Sequence, residues 1–319
     1  MSNPNAPGEA QSAPKKPGYF QLLRRNMRSY PSLYLLFIPI FLYFIVFKYG
    51  PMGGAVIAFQ KFRPARGIWN SQWVGLQNFR DFLTGPYAGR VIANTLILNF
   101  WQILIGFPAP ILLAILLNEV HAGRYRKVLQ SVSYLPYFIS LVVVCGIVKD
   151  FCASDGLFSD LLAGLGLPRE NLLTNPRDYR AIYVLSSLWQ SCGWGSILYI
   201  ATLTNTDPML YEAATVDGAG RFRRIWHITL PSLMPVIIVQ LIMRIGNIMS
   251  YGADRTLLLY SPAVYDQADI ISSFVYRYGL QNLNYSYASA VDLFNSVINL
   301  ILLVSANKLC GKLTGESLW

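Results

Sequence analysis

The chain has 319 residues, 54% hydrophobic and only 13% charged, with a mean hydropathy of +0.38. Soluble domains average about 45–50% apolar and about 25% charged, so these figures exclude a disordered chain and argue against an ordinary water-soluble enzyme. The net charge of +10, from 26 Lys and Arg against 16 Asp and Glu, would point to nucleic acid on a soluble protein; on a membrane chain the question becomes where the cations sit relative to the spans.

Residues 1–30 are polar, rich in Pro, Asn and Ser, and carry Lys15, Lys16, Arg24, Arg25 and Arg28. Such a segment buries no core and has no apolar run of its own, so it reads as a basic cytoplasmic tail rather than a cleaved signal. Residues 31–319 then carry long apolar runs near 32–48, 94–117, 131–148, 181–203, 232–251 and 288–309. At about 20 residues per helical crossing, these predict an all-α membrane protein with six transmembrane helices and both termini on one side. The Lys and Arg totals of the two sides are nearly equal. The cations of the tail side are packed more densely, and the tail precedes the first span, so the expected orientation is N-in and C-in.

The first outer loop, Tyr49 to Arg90, is long and aromatic, with Trp69 and Trp73. Long loops are usually functional, and a surface for an external partner is one reading; Trp anchors at the membrane interface are the other. Cys145, Cys192 and Cys310 lie in apolar stretches and Cys152 just beyond one. None forms a Cys-x-x-Cys pair or a metal-ligand cluster, so all four read as small core residues and no metal is expected.

Between the fourth and fifth spans, Asp207 is placed to accept from the first helical amides and Pro208 is preset for the first helical position. The helix they start should run about two turns to Gly218, which can take the left-handed conformation that ends a helix. A second short helix, Phe222 to His227, is predicted to lead through Leu230-Pro231 into the fifth span. On residue chemistry alone two readings stand: a helix pair that docks a partner, or an interfacial helix on lipid headgroups, supported by Arg221, Arg223, Arg224 and Trp226.

Glu212-Ala213-Ala214, then Gly218, Ile228 and Leu230-Pro231 resemble, at every fixed position, the EAA loop (here 207–231) of permease subunits of bacterial ATP-binding-cassette importers. The resemblance extends from about Ser32 to Trp319. Val74-Gly75-Leu76-Gln77-Asn78-Phe79, Leu135-Pro136-Tyr137-Phe138-Ile139-Ser140, Leu257-Leu258-Leu259-Tyr260-Ser261-Pro262 and Ser317-Leu318-Trp319 look like the type I branch that handles oligo- and polysaccharides. Tyr251-Gly252-Ala253-Asp254-Arg255 departs from the more apolar sequence of that branch.

The resemblance implies a coupling loop in which Glu212, Ala213, Ala214, Asp217 and Gly218 engage a separate ATPase. It also implies a second homologous permease subunit, a dimer of ATPase subunits and an extracytoplasmic solute-binding protein. The chain has no Gly-x-x-x-x-Gly-Lys-Ser/Thr phosphate loop, so ATP and Mg belong to the partner and no cofactor is expected on this chain. No catalytic constellation stands out: His121 and His227 both adjoin Arg clusters and read as ordinary loop residues. An enzyme is therefore not expected, and an ATP-independent carrier or channel for a polar solute is the competing reading.

An ionisable residue at the centre of a span costs about 2.5–3.5 kcal/mol on insertion scales, and Arg244 lies well inside the fifth run. Asn247 and Tyr251 follow at i+3 and i+7, with Gln240 at i−4, so one helical stripe is predicted to face a water-filled path. The resemblance to maltose permease places sugar contacts at these positions and, on the fourth span, at Trp189, Gln190, Ser191 and Trp194. A permanent cation there suits an acidic oligosaccharide, a uronate such as alginate or a pectin fragment. Pairing with Asp292 or with a partner-subunit carboxylate is the structural alternative. Asp292, Asn295 and Asn299 form a second stripe on the sixth span, for which polar glue between helices is the commoner explanation.

Overall fold

The computed structural model describes residues 26–120, 123–315 and 317–318. Most of the basic tail, His121 and Trp319 lie outside the described residues. The chain divides into two compact units, residues 1–55 and 56–319. Pro31 opens helix α1 (Pro31–Phe59) in the first; it passes through a π-helical stretch at Ile45–Tyr49, and its last residues, 56–59, belong to the second.

In the second unit a short hairpin, β1 (Gln60–Lys61) paired antiparallel with β2 (Gln72–Trp73), leads through α2 (Gln77–Leu83) into α3 (Ala88–Asn118). The hairpin is tied down: Asn78 Nδ2 donates to the carbonyls of Ala58 and Gln60, and the Phe62 amide to Ser286 Oγ. Trp73 stacks on Phe59 while Trp69 stands free at the tip.

α4 (Gly123–Phe138) and α5 (Leu141–Gly164) follow, then α6 (Pro176–Thr204), α7 (Pro208–Val216) and α8 (Arg221–Gly246). α9 (Ala253–Leu259), α10 (Tyr265–Ala268) and α11 (Ile271–Tyr276) precede the last helix, α12 (Tyr285–Thr314). Four of these helices, α1, α3, α8 and α12, are long and apolar enough to cross a membrane, and α4 with α5 makes a fifth, bent candidate. The remaining run, 181–203, lies in the 29-residue α6, which is less apolar for a reason visible in its packing.

α6 is packed along its length. Its first half buries Tyr179, Tyr183 and Val184 against Leu98 of α3, Cys145 and Cys152 of α5 and Leu259 of α9. The second half buries Tyr199, Ile200 and Leu203 against Ile111, Ala114 and Ile115 of α3 and Leu233 of α8. A helix surrounded by protein can carry Ser186, Ser187, Gln190 and Ser196, all buried, because its neighbours rather than lipid receive them. Small residues let the backbones approach. At Gly193 a Cβ would sit 1.9 Å from the Ser133 carbonyl oxygen of α4. Gly193→Ala is expected to destabilise the bundle by about 3 kcal/mol, the upper range for overpacking, read as a lower midpoint of thermal aggregation in detergent; an unchanged midpoint would refute the close crossing.

Three sequence expectations are corrected. The run 131–148 is not one straight span: α4 and α5 meet at 93°. Pro136 lacks an N–H in the last turn of α4, and Ser140 is extended at ψ 139. The carbonyl of Ile139 at the break is satisfied by Gln190 Nε2 at 3.1 Å. Secondly, Phe222 to His227 is not a separate helix but the start of α8, which runs unbroken from Arg221. A π-helical stretch, Ile225–Thr229, absorbs Pro231, which has no N–H for the His227 carbonyl.

Thirdly, the fifth helical run ends at Gly246 instead of reaching Tyr251. Competing hydrogen bonds draw the chain away: Asn299 Oδ1 accepts from the Met249 amide at 3.0 Å, and Asn295 and Asn299 both donate to Ser250 Oγ. Gly252 completes the turn at φ +90, a conformation that favours glycine. The second polar stripe is thus glue within this chain. Asp292, on the same helix, is exposed and makes no ion pair among the described residues.

Candidate functional site

The polar residues of α8 reach a cavity of about 550 Å³ walled by α3, α6, α8 and the turn after α8. Gln240, Arg244, Asn247 and Tyr251 all line it, although Tyr251 arrives by the turn and not along the predicted stripe. The turn folds Tyr251 back so that the Arg244 guanidinium carbon lies 3.5 Å from its ring centroid. This cation–π contact, worth about 0.5–2 kcal/mol, covers one face of the guanidinium and leaves the in-plane donors available. Among the described residues Arg244 makes no ion pair, so neither Asp292 nor another described carboxylate neutralises it.

From α6, Ser191 and Trp194 line the cavity. Trp194 is half exposed, with Tyr137 stacked on it at 4.6 Å and 2° between planes. Trp189 and Gln190 are elsewhere. Trp189 is an exposed residue away from the cavity, about 200° around the helix from Ser191. Gln190 is buried and occupied: besides capping the α4–α5 break it accepts a hydrogen bond from Arg255, whose other nitrogen donates to Ser186 Oγ at 3.1 Å.

Sequence reasoning missed the α3 wall, formed by Gln102, Gly106, Phe107 and Pro110, and also Tyr199, Met243 and Ser250. The α3 run carries Asn94, Asn99 and Gln102 among apolar residues, and one uncharged amide of three is too weak a signal next to an Arg. Arg255, buried and without a carboxylate partner among the described residues, was passed over because it follows the predicted span.

At the other end of α6 the segment 207–231 is built by hydrogen bonds. Asp207 caps α7 by accepting from the Met209 amide at 2.9 Å. The helix closes in a Schellman pattern: Ala219 N–H bonds the Ala214 carbonyl at 2.8 Å, Gly218 N–H bonds Thr215, and Gly218 sits at φ +76. The corner with α8 is braced by Arg224 Nη1 donating to Thr215 Oγ1 at 3.0 Å and by the Tyr211–Thr229 hydroxyl pair at 3.1 Å. Glu212, Ala213, Asp217 and Gly218 are exposed and Ala214 half-buried. Around them Met209, Leu210, Val216 (88%) and Phe222 (89%) also stand exposed, a large apolar patch on a rigid corner, which marks an interaction surface.

Near the start of α6 a charged knot joins α3 to the α10–α11 segment. Fully buried Asp269 pairs with Arg277 at 2.5 Å and lies 3.9 Å from Arg90, which also pairs with Asp266 at 2.6 Å. Burial alone would lower the Arg277 pKa, but the hydrogen bond and charge of Asp269 outweigh it and raise it. Breaking such a pair strands a buried charge, so this knot holds the helix ends in register.

Residues 83–307 match the model of the family described as the binding-protein-dependent transport system inner membrane component. The chain belongs to this family. It is a multi-pass inner-membrane permease, and its helical fold is that of type I importer permeases. It is 42% identical to Protein LplB of Bacillus subtilis (strain 168), over 90% of this chain and 91% of that protein. It is 41% identical to the polygalacturonan/rhamnogalacturonan transport system permease protein YteP of the same organism, over 90% of each. Its backbone superposes with a TM-score of 0.85, at 39% identity and covering 92% of this chain and 99% of the other, on a chain of a bacterial ABC transporter that imports the acidic polysaccharide alginate. A second structure of a bacterial alginate ABC transporter, in complex with an alginate pentasaccharide-bound periplasmic protein, matches equally at 0.85 and 38% identity.

Proposed function

We propose that this chain is one transmembrane permease subunit of an ATP-driven importer that moves an acidic oligo- or polysaccharide, a uronate chain, into the cytoplasm by alternating access. The observation that carries the reading is Arg244, a guanidinium that lines the cavity without an ion-pair partner among the described residues and rests on Tyr251. A carboxylate on the sugar supplies the missing counter-charge, and Trp194 offers an aromatic face for the ring. The named substrates of YteP and of the alginate transporters, both uronate polymers, support the same class.

In this reading the chain crosses the membrane six times with both termini cytoplasmic. It pairs with a second homologous permease subunit and a dimer of ATPase subunits that bind ATP and Mg, and it receives substrate from an extracytoplasmic binding protein. The chain itself is not an enzyme. Glu212, Ala213, Ala214, Asp217 and Gly218 form the coupling surface, and the exposed apolar residues beside them seat in the ATPase. Closure of the ATPases displaces α7, and the braced corner passes that displacement to α8, which carries Arg244.

The test is uptake by the reconstituted complex of a panel of uronate and neutral oligosaccharides, with and without ATP inside the vesicles. Uptake of uronates that requires ATP is expected. Transport without ATP would instead identify a secondary carrier, and preference for neutral sugars would reject the acidic class.

A further inference from the structure

Gln102 is 2% exposed and lines the cavity, yet its Nε2 has no hydrogen-bond partner among the described residues. An unpaired buried amide costs about 1–3 kcal/mol, so such a group calls for a reason. The side-chain N–H groups of other buried amides find partners: Asn94 donates to the carbonyls of Asp266 and Asp269, Asn99 to that of Thr95, Gln190 to that of Ile139 and Asn295 to Ser250 Oγ, although the side-chain oxygens of Gln60 and Asn295 are unpaired among the described residues. Gln102 thus differs from helix-to-helix glue.

The backbone delivers it to this place. Gln102 opens the five-residue π-helical stretch Gln102–Gly106 in the middle of α3, and π-bulges inside helices concentrate at functional sites. Gly106 leaves the side chain its room, because a Cβ there would stand 3.1 Å from Gln102 Oε1. Pro110, also on the wall, has no N–H for the Gly106 carbonyl, which adds polarity to the same face. Ser191 and Trp194 of α6 and Arg244 of α8 line the same cavity.

We propose that Gln102 is a substrate-contacting residue of the translocation path, whose side-chain amide turns into the cavity and gives its sealed, unpaired Nε2–H a partner in a hydroxyl or ring oxygen of the passing sugar. This rests on the glycan reading of the cavity. The division of labour is chemical: Arg244 reads the carboxylate, whereas Gln102 reads the polyol common to charged and neutral sugars.

The two roles separate in one experiment with the full complex in vesicles, ATP inside, given a uronate oligosaccharide and a neutral one of equal length. Gln102→Leu, similar in size but without the donor, is expected to lower uptake of both about tenfold, the effect of one lost hydrogen bond near 1.4 kcal/mol. Gln102→Glu places a carboxylate opposite the path and is expected to lower the acidic-to-neutral uptake ratio by at least about tenfold. Normal uptake of both sugars by Gln102→Leu overturns the proposal; where that variant fails to assemble, an unchanged ratio in Gln102→Glu overturns it. If Arg244→Gln shifts the ratio while neither Gln102 variant alters uptake, only the assignment of Gln102 fails. If none of the three changes uptake, the cavity reading falls with it.

Discussion

Arg244→Gln is expected to reduce uptake of an acidic oligosaccharide about ten- to a hundredfold and that of a neutral one several times less. A charge-assisted hydrogen bond in a site shielded from water contributes about 1.5–3 kcal/mol, and this guanidinium makes no ion pair with any described carboxylate of its own chain. The glutamine retains an amide that can bond a hydroxyl, so a neutral sugar loses little. Tyr251 is part of the same unit: it covers one face of the cation at 3.5 Å, and Tyr251→Ala should reproduce a weaker version of the loss. Comparison of initial uptake rates for both sugars decides the matter. Equal losses for both would mean that Arg244 serves the protein's own architecture, for example a carboxylate of the partner permease.

Gly218→Pro is expected to leave the chain in the membrane and to lower the sugar imported per ATP hydrolysed by at least about tenfold. The native φ of +76 is closed to proline, whose ring fixes φ near about −65°, and the substitution removes the N–H that bonds Thr215. The Schellman end of α7 then cannot form. With it goes the corner on which Arg224 and Thr215 meet, and a loose corner absorbs displacement instead of passing it to α8. Glu212→Ala tests the contact without altering the corner, since Glu212 is exposed and α7 needs nothing from its carboxylate. It should weaken the ATPase-stimulating effect of loaded binding protein while thermal stability stays as in the unmodified complex. Normal transport by both variants would remove the coupling role from this segment.

Some of this architecture was plain in local chemistry. Asp207, Pro208 and Gly218 delimit α7 as expected, because capping and the left-handed corner depend on residues within one or two turns. The long apolar runs likewise lie within helices, since a bilayer leaves a backbone few alternatives. What failed was continuity. Pro136 and Ser140 were hidden inside an apolar run, and the partner that makes their break tolerable, Gln190, lies far along the chain. Tyr251 stood at helical spacing from Arg244, yet Asn295 and Asn299 of the last helix supply the bonds that end α8 early.

The cavity shows the same division. Gln240, Arg244 and Asn247 were legible because polar residues in apolar spans announce themselves by their desolvation cost, whereas Ser191 and Trp194 came from the family resemblance. Gln102 was not, because one amide in a helix is ordinary until its neighbours are known and its hydrogen bond is found missing. By itself the sequence determined the membrane class, the capped helix α7 and the unusual cation within an apolar run, all features of composition or short-range stereochemistry. Only the tertiary structure decided which side chains share a wall, where the helices bend or stop, and which polar groups remain unpaired. Those outcomes depend on hydrogen bonds and close crossings between helices distant in the chain, and no local pattern encodes them.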